Sequence, residues 1–247
     1  MHASIKNEPP KPEQQRRSAP ALLHVASHIA IWPGLYVTGA VVCLAQIAGL
    51  GALLQTPPAL VAGGFVFTTA MAVYLLDRAK LRDTWHDPAD AHAHPARFQF
   101  IARHARSLRV LVIALLLAAV WLGAHLFAIG ALAPVLAGAG VLIYAGRPRA
   151  ARPRPKDLLL LKNAYVALGI CGFALIVVLA AARPGMGIHA MMESATAHAM
   201  PLAISAALLF LRVFADAVLC DLDDAPSDHR FGTDTFPNRL GRAPAWN

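Results

Sequence analysis

Towards its C-terminal end the chain reads Asp221-Leu-Asp-Asp224-Ala-Pro-Ser-Asp228. At about 100° per residue, Asp221, Asp224 and Asp228 fall within about 60° of one another on a helix, so three carboxylates share one face. Like charges so placed repel unless a cation neutralises them. Mg²⁺ is the natural candidate, because this hard ion takes oxygen ligands and commonly links one or two carboxylates to substrate phosphate oxygens. Pro226 lacks a backbone donor and is expected to end or kink the helix there. The blander reading is a solvated acidic loop; the apolar run Val218-Leu219-Cys220 directly before Asp221 weighs against it.

A second acidic cluster, Asp77, Asp83, Asp87 and Asp90, follows the apolar run Ala72-Val-Tyr-Leu-Leu76, and with Asp216, Asp221, Asp223, Asp224, Asp228 and Asp234 near the C-terminal end it makes ten of the fourteen acidic residues. One helical turn after Asp77 stands Leu81, so Asp83 can join a shared site only if the chain unwinds after Arg78. His86-Asp-Pro-Ala-Asp-Ala-His-Ala-His94 reads as a solvated loop, or as a transition-metal loop through His86, His92 and His94. Arg212 and Asp216, spaced i,i+4 within an apolar run, are expected to point into a bundle, as a mutual ion pair or around a water-lined position. Lys162 and Asn163 open another apolar run as a snorkelling lysine or an anion ligand.

These residues need elements to position them. The 247 residues are 57% hydrophobic and 15% charged, well below the roughly 25% charged of soluble domains. That excludes an ordinary soluble fold and points to a membrane protein. Cys43, Cys171 and Cys220 are odd in number and lie in apolar runs, which excludes a disulfide-stapled scaffold. A polar, Pro-rich tail over 1–28 precedes apolar runs at 29–54, 59–76, 108–129, 131–145, 158–182 and 200–220. The expected fold is therefore all-α, a polytopic transmembrane bundle of about six spans with a cytosolic loop over 77–107 and a cytosolic segment over 222–247. Punctuation falls at Thr56-Pro57-Pro58, Gly130, Gly146-Arg147-Pro148 and Arg183-Pro184-Gly185.

Lys and Arg segregate along this outline: four in the tail, seven over 78–109, six over 147–162, and Arg230, Arg239 and Arg242 near the end. The alternate loops hold only Arg183, and Arg212 lies inside the last run. Such a pattern places both termini in the cytoplasm and makes the net charge of +8 a consequence of topology, with no nucleic-acid partner. Both acidic clusters then lie on the cytoplasmic face, in what is expected to be a bacterial inner membrane.

The string from Asp221 to Gly241 resembles the second aspartate motif of the UbiA family of intramembrane prenyltransferases, Asp-x-x-Asp-x-x-x-Asp followed by Gly-x-x-Thr-x-Pro-x-x-Leu-Gly. Asp221, Asp224, Asp228, Gly232, Thr235, Pro237, Leu240 and Gly241 match in order. Tyr74-Leu-Leu-Asp77-Arg78 and Pro95-Ala-Arg97 are similar to part of the family's first motif, with Val73 where that motif has Asn and Leu81 where it has Asp. Lys162 is similar to the family's lysine before span five. The resemblance implies a helical bundle in which two aspartate motifs face each other and hold Mg²⁺ against a prenyl diphosphate. The family usually has nine helices, so the resemblance also implies a shortened member or a wall completed by another chain.

The expected activity is Mg²⁺-dependent transfer of a prenyl group to a lipophilic acceptor. Asp77, Asp221, Asp224 and Asp228 are the expected metal ligands and, with Asp83, the catalytic residues. Arg78, Lys80, Arg82, Lys162 and Arg230 are the expected partners of the diphosphate, whose departure requires stabilised negative charge. A dry cavity would protect the allyl cation until the acceptor captures it. The alternative is a non-catalytic family member that binds isoprenoid lipid or a divalent cation. A cation transporter built on Asp216 would need acidic residues deeper in several spans, which the sequence lacks.

Overall fold

The computed structural model describes residues 27–50, 57–126, 130–145, 155–182, 188–233 and 235–240. The tail over 1–26, the turns at Gly146-Arg147-Pro148 and Arg183-Pro184-Gly185, and Asp234, Gly241 and Arg242 lie outside the described residues, as does Thr56. Among the described residues the protein is all-helical, without a strand. A π-helical turn, Ser27–Ile31, leads into α1 (Trp32–Ile47), followed by α2 (Pro57–Ala79), α3 (Pro88–Ala93), α4 (Pro95–Leu126), α5 (Leu132–Ala145), α6 (Leu159–Ala182), α7 (Ile188–Ala197), α8 (Ala199–Phe231) and α9 (Phe236–Leu240). Four of these, α2, α4, α6 and α8, are long and apolar enough to cross a membrane; α1 and α5 are shorter apolar helices. The six apolar runs of the sequence thus all become helices, of which four have spanning length.

Proline and glycine mark the ends for identifiable reasons. Pro33 and Pro88 stand in the first turns of α1 and α3, where a missing N–H costs nothing. The Asp87 side chain caps α3 by accepting from Ala89 N at 3.0 Å. Gly232 closes α8 in the left-handed region at φ 68°, and Thr233 N then donates to Asp228 O at 2.8 Å. Lys80 closes α2 at φ 49° although it is not glycine; its burial and its ion pair with Asp77 hold it there.

Two cores hold the bundle. Val37 and Leu44 of α1, Phe65 and Val66 of α2, and Val177 of α6 pack together as fully apolar contacts, joined by Leu202 of α8. At the other end of α2, Leu75 and Leu76 meet Ile101, Leu108 and Val112 of α4. The α2–α4 seam continues to Gly123, where a Cβ would collide with the Gly130 carbonyl and come within 2.9 Å of the Phe65 ring. Gly123→Ala is expected to cost about 1–3 kcal/mol through overpacking, read as a lower thermal midpoint in detergent. Gly39→Ala, where nothing lies within 4 Å, is the control and leaves that midpoint unchanged or raises it, since alanine is the better helix former.

The helices depart from the apolar runs in three places. The 33-residue α8 does not stop at Cys220; it carries the aspartate motif through Pro226 to Phe231, so the first part of 222–247 is helix and not loop. Burial of Asp221, Leu222, Ala225, Ser227 and Asp228 against α6 and α3, with Pro226 exposed, overrides the proline's local cost. Helix α4 starts at Pro95, so most of the loop expected over 77–107 is helical: its first turns are polar, and hydropathy reports burial rather than helicity. Helix α7 (Ile188–Ala197) lies between the last two apolar runs, where the sequence suggested only a connection.

Candidate functional site

Helix α6 packs against both α8 and α2, and α3 is laid against α8. Asp221 is buried; Lys162 Nζ is in direct ion-pair contact with its Oδ1, and Asn163 Nδ2 donates to its Oδ2 at 3.3 Å. Lys162 also lies 3.6 Å from Asp228 Oδ2, so one cation from α6 bridges two carboxylates of α8. Asp224 Oδ1 lies 2.8 Å from His94 Nε2, and Ser227 Oγ lies 2.6 Å from His92 Nδ1. The α8 face is thus clasped by α6 on one side and by α3 and the residue after it on the other.

Asp77 supplies the opposing carboxylate from α2. Its Oδ1 accepts from Lys80 Nζ at 2.7 Å, and Arg78 Nε lies 4.0 Å from its Oδ2. Arg78 also lies 4.0 Å from Asp90 Oδ1, and its guanidinium is within electrostatic reach of Asp224. Arg97 sits in the field of Asp77, Asp90 and Asp224. Tyr144 of α5 is within reach of both Asp77 and Asp221 and stacks on Tyr165 of α6 at 5.3 Å. Arg78 thus links carboxylates of α2, α3 and α8, Asp77 and Asp90 at 4.0 Å and Asp224 through its field. Lys156 braces the rim, 3.2 Å from buried Asp87 and 3.9 Å from Asp90.

Outside the spanning helices, burial pushes the Lys80 ammonium below its usual value while Asp77 pulls it back up. Burial likewise lowers His86, whose Nε2 has no hydrogen-bond partner among the described residues.

Three further buried oxygens have no hydrogen-bond partner among the described residues: Asp228 Oδ2, Asn163 Oδ1 and Thr235 Oγ1. Buried acceptors are ordinarily satisfied, and hard oxygen donors of this kind fit Mg²⁺. Among the described residues no three Asp, Glu, His or Cys side chains are gathered as a ready ligand set; Asp221, Asp224 and Asp77 are closed instead by Lys162, His94 and Lys80.

Of the residues singled out in the sequence, Asp77, Arg78 and Lys80 cluster at the end of α2, Lys162 joins Asp221 and Asp228, and Asp224 is in electrostatic reach of Arg78. Asp83 does not. The chain does unwind after Ala79, but the Asp83 side chain is 77% exposed and pairs with Arg109. Arg82 turns onto Trp85 and Arg230 onto Phe231, both at the surface. Asp83→Asn is accordingly expected to change any turnover by less than about threefold, the ±0.5 kcal/mol scale of surface substitutions.

The three histidines of the 86–94 segment diverge, His86 against Phe98, His92 on Ser227 and His94 on Asp224, and so do not form a shared metal loop. Their docking on α8 was not legible in their spacing; the Asp87-Pro88 start signal for α3 was the available clue. Arg212 does not point into the bundle, since its side chain is 74% exposed while paired with Asp216 at 3.0 Å.

No family model, curated protein or solved structure matches this chain. The functional reading therefore stands on the motif residues and on the geometry just described.

Proposed function

We propose that this protein is an intramembrane prenyltransferase of the UbiA type, which transfers a prenyl group from a prenyl diphosphate to a lipophilic acceptor with Mg²⁺. The observation that carries the reading is Arg78, paired with Asp77 and in the field of Asp224, together with Lys162, which holds Asp221 and Asp228 of the same aspartate motif. In this proposal the six apolar helices cross or enter a bacterial inner membrane with both termini in the cytoplasm, and the carboxylate end is the cytoplasmic face.

Asp77, Asp221, Asp224 and Asp228 would hold Mg²⁺, with Asn163 and Thr235 as buried oxygens beside them. Bound there, the ion supplies positive charge to the diphosphate oxygens. Arg78 and Lys162 are placed to contact the same diphosphate, and Lys80 holds Asp77 in position. The bond between the prenyl C1 and the bridging oxygen breaks with its electron pair going to diphosphate. The acceptor's nucleophile then bonds to C1 and loses a proton. The stacked Tyr144 and Tyr165 rings, with Tyr144 in the field of Asp77 and Asp221, would shield the allyl cation from water.

The test is release of inorganic diphosphate by the purified chain in lipid nanodiscs, given prenyl diphosphates of graded length, with Mg²⁺ or with EDTA. Mg²⁺-dependent release supports the proposal. A second reading, binding without turnover, is favoured by the closure of Asp221 and Asp224 by the chain's own Lys162 and His94. Saturable binding of a prenyl diphosphate with no release at any length would select it.

A further inference from the structure

Helix α3 and the residue after it carry two groups that mirror a metal–diphosphate ligand. Asp90 Oδ1 lies 4.0 Å from Arg78 Nη1, and its Oδ2 lies 3.9 Å from Lys156 Nζ. His94 Nε2 lies 2.8 Å from Asp224 Oδ1. A carboxylate only accepts, so the His94 nitrogen is the donor of that hydrogen bond. The segment therefore offers an anion to the cation proposed to meet the diphosphate, and an N–H to the carboxylate proposed to hold Mg²⁺. A metal with diphosphate offers the same two side chains the same two kinds of partner, so the segment and the ligand compete.

The contacts that hold the segment are uneven along its length. Six residues are too few for a helix to be stable by itself, so α3 depends on what it touches. Its start is firmly anchored: the buried Asp87 side chain accepts from Ala89 N at 3.0 Å and lies 3.2 Å from Lys156 Nζ, and Ala89 is itself buried. Its far end is tied by His92 Nδ1 at 2.6 Å from Ser227 Oγ and by His94 on Asp224. In the Arg78–Asp90 and His94–Asp224 pairs about a third of each side chain is exposed. Pairs as exposed as these contribute little, and a divalent ion with a diphosphate replaces them by stronger, charge-assisted contacts.

We propose that residues 88–94 form an autoinhibitory strap, which occupies Arg78 and Asp224 until a metal and diphosphate displace it, and which swings off them about its anchor at Asp87 and Lys156. The strap rests on the prenyl-transfer reading for the identity of the ligand.

The experiment uses the full-length chain in lipid nanodiscs, with Mg²⁺ and inorganic diphosphate as the probe. Equilibrium dialysis with labelled diphosphate measures binding, and amide hydrogen exchange over 88–94 reports the strap. Binding is expected to speed exchange in that segment by at least about fivefold, because a six-residue helix released from its partners unwinds. Asp90→Asn and His94→Ala are each expected to tighten diphosphate binding about threefold, and the double variant about tenfold. Only the first removes a negative charge, so a shared tightening is not an effect of charge on the anion alone. A segment that merely supports the site gives the opposite sign, weaker binding in both variants, and overturns the proposal. Saturable diphosphate binding with exchange over 88–94 unchanged or slowed also overturns it, and leaves the prenyl-transfer reading standing. Absence of saturable binding in both the wild type and the double variant removes that reading and the strap with it. If a variant fails to insert, exchange in the wild type still decides.

Discussion

Asp224→Asn should abolish Mg²⁺-dependent diphosphate release while leaving the bundle folded. The side chain lies in the last turns of α8, half-exposed, with one oxygen 2.8 Å from His94 Nε2 and its guanidinium neighbour Arg78 in reach from α2. Asparagine keeps the volume and an oxygen able to meet His94, so the contact between α8 and the segment after α3 survives. What it removes is the negative charge that would hold a divalent ion opposite Asp77. Loss of one preorganised electrostatic contributor typically costs about 10²–10³ in turnover, and here the loss should appear in kcat and in the Mg²⁺ concentration needed for half activity. Retained activity within a factor of a few would show that α8 is not the metal-holding side. Asp83→Asn, which alters an exposed carboxylate on Arg109, is the matched control.

The two carboxylate clusters differ in how visible they were in the sequence, and the reason is physical. Asp221, Asp224 and Asp228 share a helical face by period alone, so their common orientation follows from spacing. Their helical setting was less legible, because Pro226 argues locally for an end to α8, and only the packing of Leu222, Ala225 and Ser227 against neighbours keeps the helix going. Asp83 looked like a candidate because it follows the helix that carries Asp77. Its fate was decided by the left-handed turn at Lys80, which no periodicity reports. His94 and Asp224 are 130 positions apart, and a contact of that range depends on how whole helices dock. Arg212 illustrates the opposite failure: a charge in an apolar run was expected to turn inward, whereas the fold turns it out and pairs it with Asp216 on its own helix.

Lys162→Met should be the most destabilising substitution at the site, and the reason separates folding from chemistry. Lys162 enters α6 within its first turn, where it meets buried Asp221 in direct contact and Asp228 at 3.6 Å. Methionine matches the apolar stem of lysine, so packing is retained, but a buried carboxylate loses its cation while a second carboxylate stays close by. Breaking a buried pair from one side costs about 3–5 kcal/mol, far more than the pair itself contributes relative to neutral groups. Asp221→Asn in the same chain removes the stranded charge and keeps an acceptor for the Asn163 amide. The double variant should therefore recover most of the lost stability, and a double-mutant cycle on unfolding in detergent measures that coupling. Turnover should not recover with it, since the proposed reaction needs Lys162 at the diphosphate and Asp221 at its metal. A double variant as unstable as Lys162→Met alone would mean that the lysine stem, not its charge, holds α6 to α8. Recovered turnover would remove both residues from the proposed chemistry while leaving their structural pairing intact.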